Sequence, residues 1–180
     1  MSWLRNDTAD QGMEFILGRR SIRVYAHGEV NEDQVRKLLA AAMAAPSAAA
    51  KNPWHFVIVR SRQTLSRIAM VLPQGQMLET AALGIAVCGD LEMAHDGQIS
   101  YLLQDCAAAI ENLLLCAHIL GLGTCWLAVY PREDRIKIVR ENLSLPASII
   151  PISFISIGLP GETKEAHSKY YADRVHTEKW

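Results

Sequence analysis

Between Asn112 and Pro131 the chain runs for 20 residues without Asp, Glu, Lys or Arg, and this run narrows the folding options more than any other feature. A stretch of that length is enough to cross a bilayer as one helix. Its interior reads otherwise. Asn112, His118, the Gly121-Leu122-Gly123-Thr124 interruption and Pro131 depart from the hydropathy of a membrane helix, and their order predicts helix, tight turn and buried strand. A helix and a strand laid down in direct succession need a core to cover both. A chain of 180 residues hides roughly 70% of its unfolded surface on folding, so one domain over 1–180 can supply that core.

The balance of 50% hydrophobic and 21% charged residues is that of a globular protein and excludes wholesale disorder. A formal net charge of −1 leaves no bulk basic field to hold a nucleic acid, so any anion site must be a local cluster. The opening MSWLRNDTAD has no apolar core of the kind a secretory signal carries. None of Cys88, Cys106, Cys116 and Cys125 stands in C-x-x-C spacing, and all four sit among apolar neighbours. They read as buried thiols in a reducing, cytoplasmic setting.

Periodicity predicts the order of elements. Met13, Ile16 and Leu17 mark a short helix ending near Arg19. Asn31 and Gln34 stand at capping-box spacing before a helix with Val35, Leu38, Leu39, Ala42 and Met43 on its apolar face, which must stop before Pro46. Strands are expected at 55–60, 83–88, 124–129 and 150–157, and helices at 64–71, 100–120 and 131–142, the last with Pro131 at its start. The long helix carries Leu103, Ile110, Leu113, Leu114 and Ala117 on its buried stripe, and Ala107 to Ala109 permit close approach of another helix. This alternation favours an α+β or three-layer α/β domain. A tail from about 160 to 180 holds Lys164, Glu165, His167, Lys169, Tyr170, Tyr171, Arg174, His176 and Trp180, too aromatic to be merely solvated.

Three segments carry candidate chemistry. Arg19-Arg20-Ser21-Ile22-Arg23 sets three guanidiniums and a hydroxyl within five residues, and the arginine fork matches phosphate or carboxylate oxygens. Alone, the run reads equally as a solvated turn, although Ile22 and Tyr25 give it apolar anchors. Pro46 to Pro53 is a loop of small residues whose backbone a flat ligand could approach, with Ser47 and Asn52 as hydrogen-bonders. Gly121-Leu122-Gly123 imitates a dinucleotide motif but follows a helix and enters a strand, the reverse of what that motif needs. Glu92 and His95 have the i, i+3 spacing of a carboxylate-bridged metal site but occur once, and no G-x-S-x-G elbow is present. The chain shows no acid, base or nucleophile of its own, which points to a borrowed cofactor.

Together, Arg-Arg-Ser-x-Arg, then Ala-Pro-Ser-small before x-Pro-Trp, then Ala-x-x-Asn-Leu-Leu-Leu-x-Ala-x-x-Leu-Gly-Leu-Gly-x-Cys-Trp resemble the FMN-dependent nitroreductase family. The resemblance covers nearly the whole chain in order and extends to the ending with Arg174-Val175-His176 and Trp180. It implies an α+β fold, a three-layer sheet flanked by helices with the long helix at a homodimer interface, and FMN in two clefts built from both subunits. It further implies ping-pong hydride transfer from NADH or NADPH through FMN to a small acceptor, with no catalytic side chain required. By position, Arg19, Arg20, Ser21 and Arg23 would hold the phosphate, ribityl chain and pyrimidine edge. Pro46, Ser47 and Ala48, with Asn52, would line the ring from the partner subunit, and the tail would pack on that partner. The backbone near Leu127 and Ala128 would approach the flavin, and Lys169 would be a second phosphate cation. No metal, nucleic acid or membrane is implied.

The family's loop commonly reads Pro-Ser-Gly-x-Asn-x-Gln-Pro-Trp, whereas Ala48, Ala50 and Asn52 stand here. Ala50 has no side-chain amide and Asn52 is one methylene short. A non-catalytic flavin- or nucleotide-binding module and a dehalogenase-type flavin reaction are the alternatives. Gln74 to Leu78 and Glu92 to Gln98 are expected to shape the acceptor pocket.

Overall fold

The computed structural model of the chain describes residues 7–166 and 170–180. In chain order the elements are α1 (Asp7–Gly18), β1 (Tyr25–Ala26), α2 (Glu32–Met43), β2 (Trp54–Val59), α3 (Arg62–Ala69), β3 (Leu83–Asp90), α4 (Ile99–Ile119), β4 (Gly123–Ala128), α5 (Glu133–Leu143) and β5 (Ile149–Pro160). Every strand pair is antiparallel. The long β5 is the spine: it pairs with β3, β4 and β1, and β2 closes the β3 side as an edge.

Alternation along the strands divides the core into two. Leu83, Ile85, Val87, Ile155 and Ile157 face α2 and α4. Ala86, Cys88, Cys125, Leu127 and Phe154 face the opposite way, towards α3 and α5. A sheet covered on both faces explains why β3 reads as one uninterrupted apolar run, since neither face meets water. The result is the expected α+β, three-layer arrangement. The Val87 to Cys88 register shift opposite β5 places Pro151 at a bulge, where a strand tolerates a residue without an N–H.

The local signals explain most boundaries. Asn31 accepts from the Gln34 amide at 2.9 Å while Gln34 Oε1 accepts from the Asn31 amide at 3.0 Å, so the capping box that starts α2 is complete. The uncharged run resolves into the second half of α4, a turn at Gly121 with φ +71° and the buried strand β4. α4 is long and apolar enough to cross a membrane by composition. Its apolar side instead lies against the sheet and α2: Leu102, Cys106, Ala109, Ile110, Leu113 and Ala117 are fully buried.

Three expectations are corrected, and one element carries no sequence signal. Pro131 precedes the α5 cap Arg132 rather than opening the helix. Leu103 is only half-buried, because the stripe turns to Leu102, Asp105 and Cys106. Met43 is exposed, because the buried face of α2 ends at Ala42. The two-residue β1 was not anticipated, and it exists because the end of β5 offers Leu159 and Pro160 as partners.

Candidate functional site

The arginine segment leaves α1 and is fixed by contacts to three other parts of the fold. Ile22 donates its amide to Thr124 O of β4 at 2.9 Å. The Arg23 and Val24 amides donate to Glu162 Oε1 at 2.6 and 3.3 Å. Lys164 Nζ donates to Ser21 O at 2.7 Å and pairs with Glu162 at 3.0 Å. The amide of Arg23 first, and then the Lys164 ammonium, hold the Glu162 carboxyl below the usual glutamate range. Tyr25, buried on the sheet, fastens the same segment through its hydroxyl, 3.0 Å from Ile22 O and 2.7 Å from Ser156 Oγ. Burial pushes its phenol up, away from any role as a base.

A backbone held this firmly aims its side chains. Arg19 Nε reaches Glu111 Oε1 of α4 at 3.1 Å. Arg20 Nε is buried with no partner among the described residues. A cavity of about 270 Å³ lies there, walled by Gly18, Arg19, Arg20, Thr124, Glu162 and Lys164 among others. Glu162 is already occupied by Lys164 and two amides, so among the described residues it leaves Nε of Arg20 without an acceptor. A buried, unpaired donor of that kind is an anion site in waiting. Arg23 does not share this cavity. It lines a separate open cleft of about 600 Å³ with Gln74, Gln76 and Met77.

The loop after α2 is built by a different device. Ser47 Oγ donates to Asn52 Oδ1 at 2.7 Å and accepts from the Asn52 amide at 2.9 Å. The Ala48 amide donates to Asp105 Oδ1 of α4 at 2.8 Å. Between these ties Ala49, Ala50 and Asn52 take φ of 50°, 54° and 50°, left-handed values that side chains resist. Strain of this sort is retained where a site requires it. The loop also borders a hollow of about 730 Å³ with Lys51, Glu92, His95 and Asp96. The two segments expected to shape an acceptor pocket therefore sit beside different site segments, 74–78 beside Arg23 and 92–98 beside the loop.

Leu127 is buried, and Ala128 at the end of β4 gives its carbonyl to Arg135 Nη1 at 3.0 Å. Pro46 precedes Ser47 at the start of the loop, and Lys169 lies outside the described residues. The structure thus gathers Arg19 and Arg20 in one pocket, with Ser21 tied beside it through its carbonyl to Lys164, and Pro46, Ser47, Ala48 and Asn52 in one loop, with Arg23 facing elsewhere. Sequence reasoning missed Lys164, Glu162, Glu111 and Asp105. Only Asp105 left a signal, as an acid on the apolar stripe of the long helix. All four cysteines are free; Cys88, Cys106 and Cys125 are buried as expected, whereas Cys116 is only half-buried, and burial pushes Cys88 and Cys106 up to about 12. No group of three metal-ligating side chains occurs among the described residues.

This three-layer arrangement around one long core helix is the nitroreductase fold. The structure of a Parabacteroides distasonis protein, provisionally named an NADH dehydrogenase/NAD(P)H nitroreductase, superimposes with a TM-score of 0.89 at 40% identity, covering 94% of this chain and 99% of its own. The chain belongs to the nitroreductase family, whose profile matches residues 16–74 and 69–159, and it is an oxidoreductase. A protein of Archaeoglobus fulgidus with the same provisional name is 42% identical over 174 residues, 95% of this chain and 99% of its own length. A nitroreductase-like protein from Desulfovibrio desulfuricans, solved with FMN, has a TM-score of 0.78 at 26% identity and covers 93% of this chain and 96% of its own.

Proposed function

We propose that this chain is an FMN-dependent oxidoreductase that moves a hydride from NADH or NADPH, in a ping-pong cycle, to a small electrophilic acceptor such as a nitroaromatic, quinone or enone. One observation carries the reading above the others: Nε of the half-buried Arg20 is buried with no partner among the described residues, beside a cavity flanked by Arg19 and Lys164. That pocket suits a phosphate monoester, which needs fixed cations more than it needs shape.

In this reading Arg19, Arg20, Ser21 and Lys164 bind the phosphate end, with Lys169 as a further cation. Arg23 holds the pyrimidine edge, and the backbone at Leu127 and Ala128 orients the ring. Pro46, Ser47, Ala48 and Asn52 close over it from a second copy. FMN, when bound, supplies the centre that accepts and returns the hydride. The residues bind, orient and exclude water, and none is required to carry a proton.

The placement of the half-sites supports a homodimer. Asp105 holds the loop and His118 borders the arginine cavity; they are 13 residues apart in α4, about 20 Å along the axis at 1.5 Å per residue. A second copy that brings its loop to the first copy's pocket removes that gap. The tail supports the same reading: Pro160 to Lys164 are tied to their own subunit through Tyr25, Arg23 and Ser21, so the part expected to cover the partner begins after Lys164 rather than at 160, and in it Tyr170 and Val175 are exposed and Trp180 wholly so.

The test is the absorption spectrum of the purified protein supplied with FMN, followed by anaerobic NADH or NADPH. A flavin band that bleaches and is restored by a quinone is the expected result. A protein that takes up no FMN overturns the proposal, and one that binds FMN without bleaching is a binding module.

A further inference from the structure

Asp105 is an acid where the fold should have none. It lies on the core side of α4, only 4% exposed, between the buried Leu102 and Ala109. One oxygen, Oδ1, accepts from the Ala48 amide at 2.8 Å. The other, Oδ2, is buried with no partner among the described residues. A carboxylate so placed costs stability unless it does something an apolar residue cannot.

What it does is visible in the loop. Ala48 opens the one stretch where three of four consecutive residues, Ala49, Ala50 and Asn52 with Lys51 between them, hold left-handed backbone without a glycine. Among the described residues the Ser47 and Asn52 side chains bond to each other and to the loop's own amide, so they close the loop on itself without attaching it to the fold. Among the described residues, the side-chain tie from the loop to a rigid element is Asp105 to the Ala48 amide. A charged acceptor makes that bond stronger than a neutral one would.

We propose that Asp105 is a positioning residue: through the Ala48 amide it holds the loop 47–52 in its strained form before any cofactor arrives, so that the loop's ligand-facing groups need no reorganisation on binding. This rests on the proposed FMN site for its consequence but not for its mechanism. Pre-organisation of this kind raises affinity by removing an ordering cost that binding would otherwise meet.

Asp105→Ala and Asp105→Asn separate the possibilities, read by amide hydrogen exchange without FMN and by FMN dissociation constant. Asparagine keeps an acceptor for the Ala48 amide. In Asp105→Ala the amides of 48–52 are expected to exchange faster while the core strands keep their protection, and FMN affinity to fall on the order of 10- to 100-fold, the usual worth of a hydrogen bond to a charged group. Asp105→Asn is expected to restore slow exchange and bring affinity back to less than about tenfold from the parent, a neutral acceptor making the weaker bond. Unchanged exchange at 48–52 in Asp105→Ala overturns the proposal, as does an Asp105→Asn protein that behaves like Asp105→Ala. Should the alanine variant fail to fold, the asparagine variant alone decides, since a loss there equal to tenfold or more also overturns it. If the parent protein binds no FMN, the functional reading falls, and the exchange arm still decides the role of Asp105.

Discussion

Replacing Tyr25 by Phe tests how the arginine segment is attached to the sheet. The Tyr25 hydroxyl lies 3.0 Å from Ile22 O, 3.2 Å from Ser156 O and 2.7 Å from Ser156 Oγ, and with one proton to give it satisfies a carbonyl fully only when the Ser156 hydroxyl donates to it. Tyr25 is 8% exposed and Ser156 fully buried. In the Phe variant the ring still packs, Ile22 O loses its donor, and Ser156 keeps only the longer contact to Cys125 O at 3.4 Å. One bond lost outright and one weakened correspond to about 1–2 kcal/mol. For a chain of this size that is a drop in Tm of about 2–8 °C, taking ~2–4 °C per kcal/mol. Urea unfolding at one fixed protein concentration, necessary because dimerisation adds to apparent stability, is expected to show a lower midpoint with an unchanged slope. The Tyr25→Phe and Ser156→Ala pair in a double-mutant cycle is expected to couple, since the residues touch. FMN affinity is expected to fall a few-fold, because Ser21 and Arg20 adjoin the loosened Ile22. An unchanged midpoint with additive single effects would refute the view that this hydroxyl fastens the segment.

Three further outcomes are expected. Arg20→Met keeps much of the packing but removes the guanidinium with its unpaired Nε, and FMN titration is expected to show binding weakened by about 10- to 150-fold, the range for a charge-assisted bond; undiminished affinity would move the phosphate elsewhere. Cys88 and Cys106, with thiols pushed up to about 12 by burial, are expected to resist alkylation at pH 8 until denaturant is added, as mass spectrometry of labelled peptides would show; rapid native labelling of either contradicts the burial. Glu162 is held below its ordinary range by the Arg23 amide and then Lys164, so its stabilisation is complete above the unfolded glutamate value, about 4.3, and is lost as pH falls through the lower folded value. The urea midpoint is therefore expected to decline on acidification below about pH 4, and less steeply in Glu162→Gln; an identical acid limb in both proteins excludes Glu162 as a contributor.

What was legible in the sequence follows from which interactions are local. Asn31 and Gln34 announce their helix because a capping box joins residues three apart. Leu83 to Cys88 announces a central strand because burial on both faces leaves an unbroken apolar run. The arginine segment and the small-residue loop were visible as clusters of chemistry. Their supports were not. Glu162 reaches Arg23 across 139 positions and Lys164 reaches Ser21 across 143, contacts that exist only once β5 is laid beside β4. β1 is invisible for the same reason, since two residues make a strand only when a neighbour is already there. The division of Arg20 from Arg23 also lay beyond sequence reasoning. Residues three apart share a face only if the backbone is helical, and here it is tied edge-on to Thr124.

The loop shows why the site's own residues and its scaffold have to be considered together. Left-handed alanine costs ~1–2 kcal/mol, and Ala49 and Ala50 both adopt that form where a glycine would have relieved it. Within the loop, the Ala50 and Lys51 amides donate to Ser47 O and Ala48 O at 3.1 Å each, bonds that shape the turn without attaching it to the fold. The attachment comes from α4, whose position is in turn dictated by Ile110, Leu113 and Ala117 in the core. The same helix receives Arg19 at Glu111 and accepts the α2 backbone at Asn112, whose Nδ2 donates to Ala41 O at 3.2 Å. Three separate segments are thus registered against one rigid rod by polar side chains projecting from it, at positions 105, 111 and 112. A site whose chemistry is lent by a cofactor depends on such registration more than on any reactive side chain, because its residues act only by where they hold the ligand. Substitutions at Asp105, Glu111 and Asn112 of α4 should therefore disturb binding, while changes to reactive-looking residues such as the buried Cys88 and Cys106 should leave it intact.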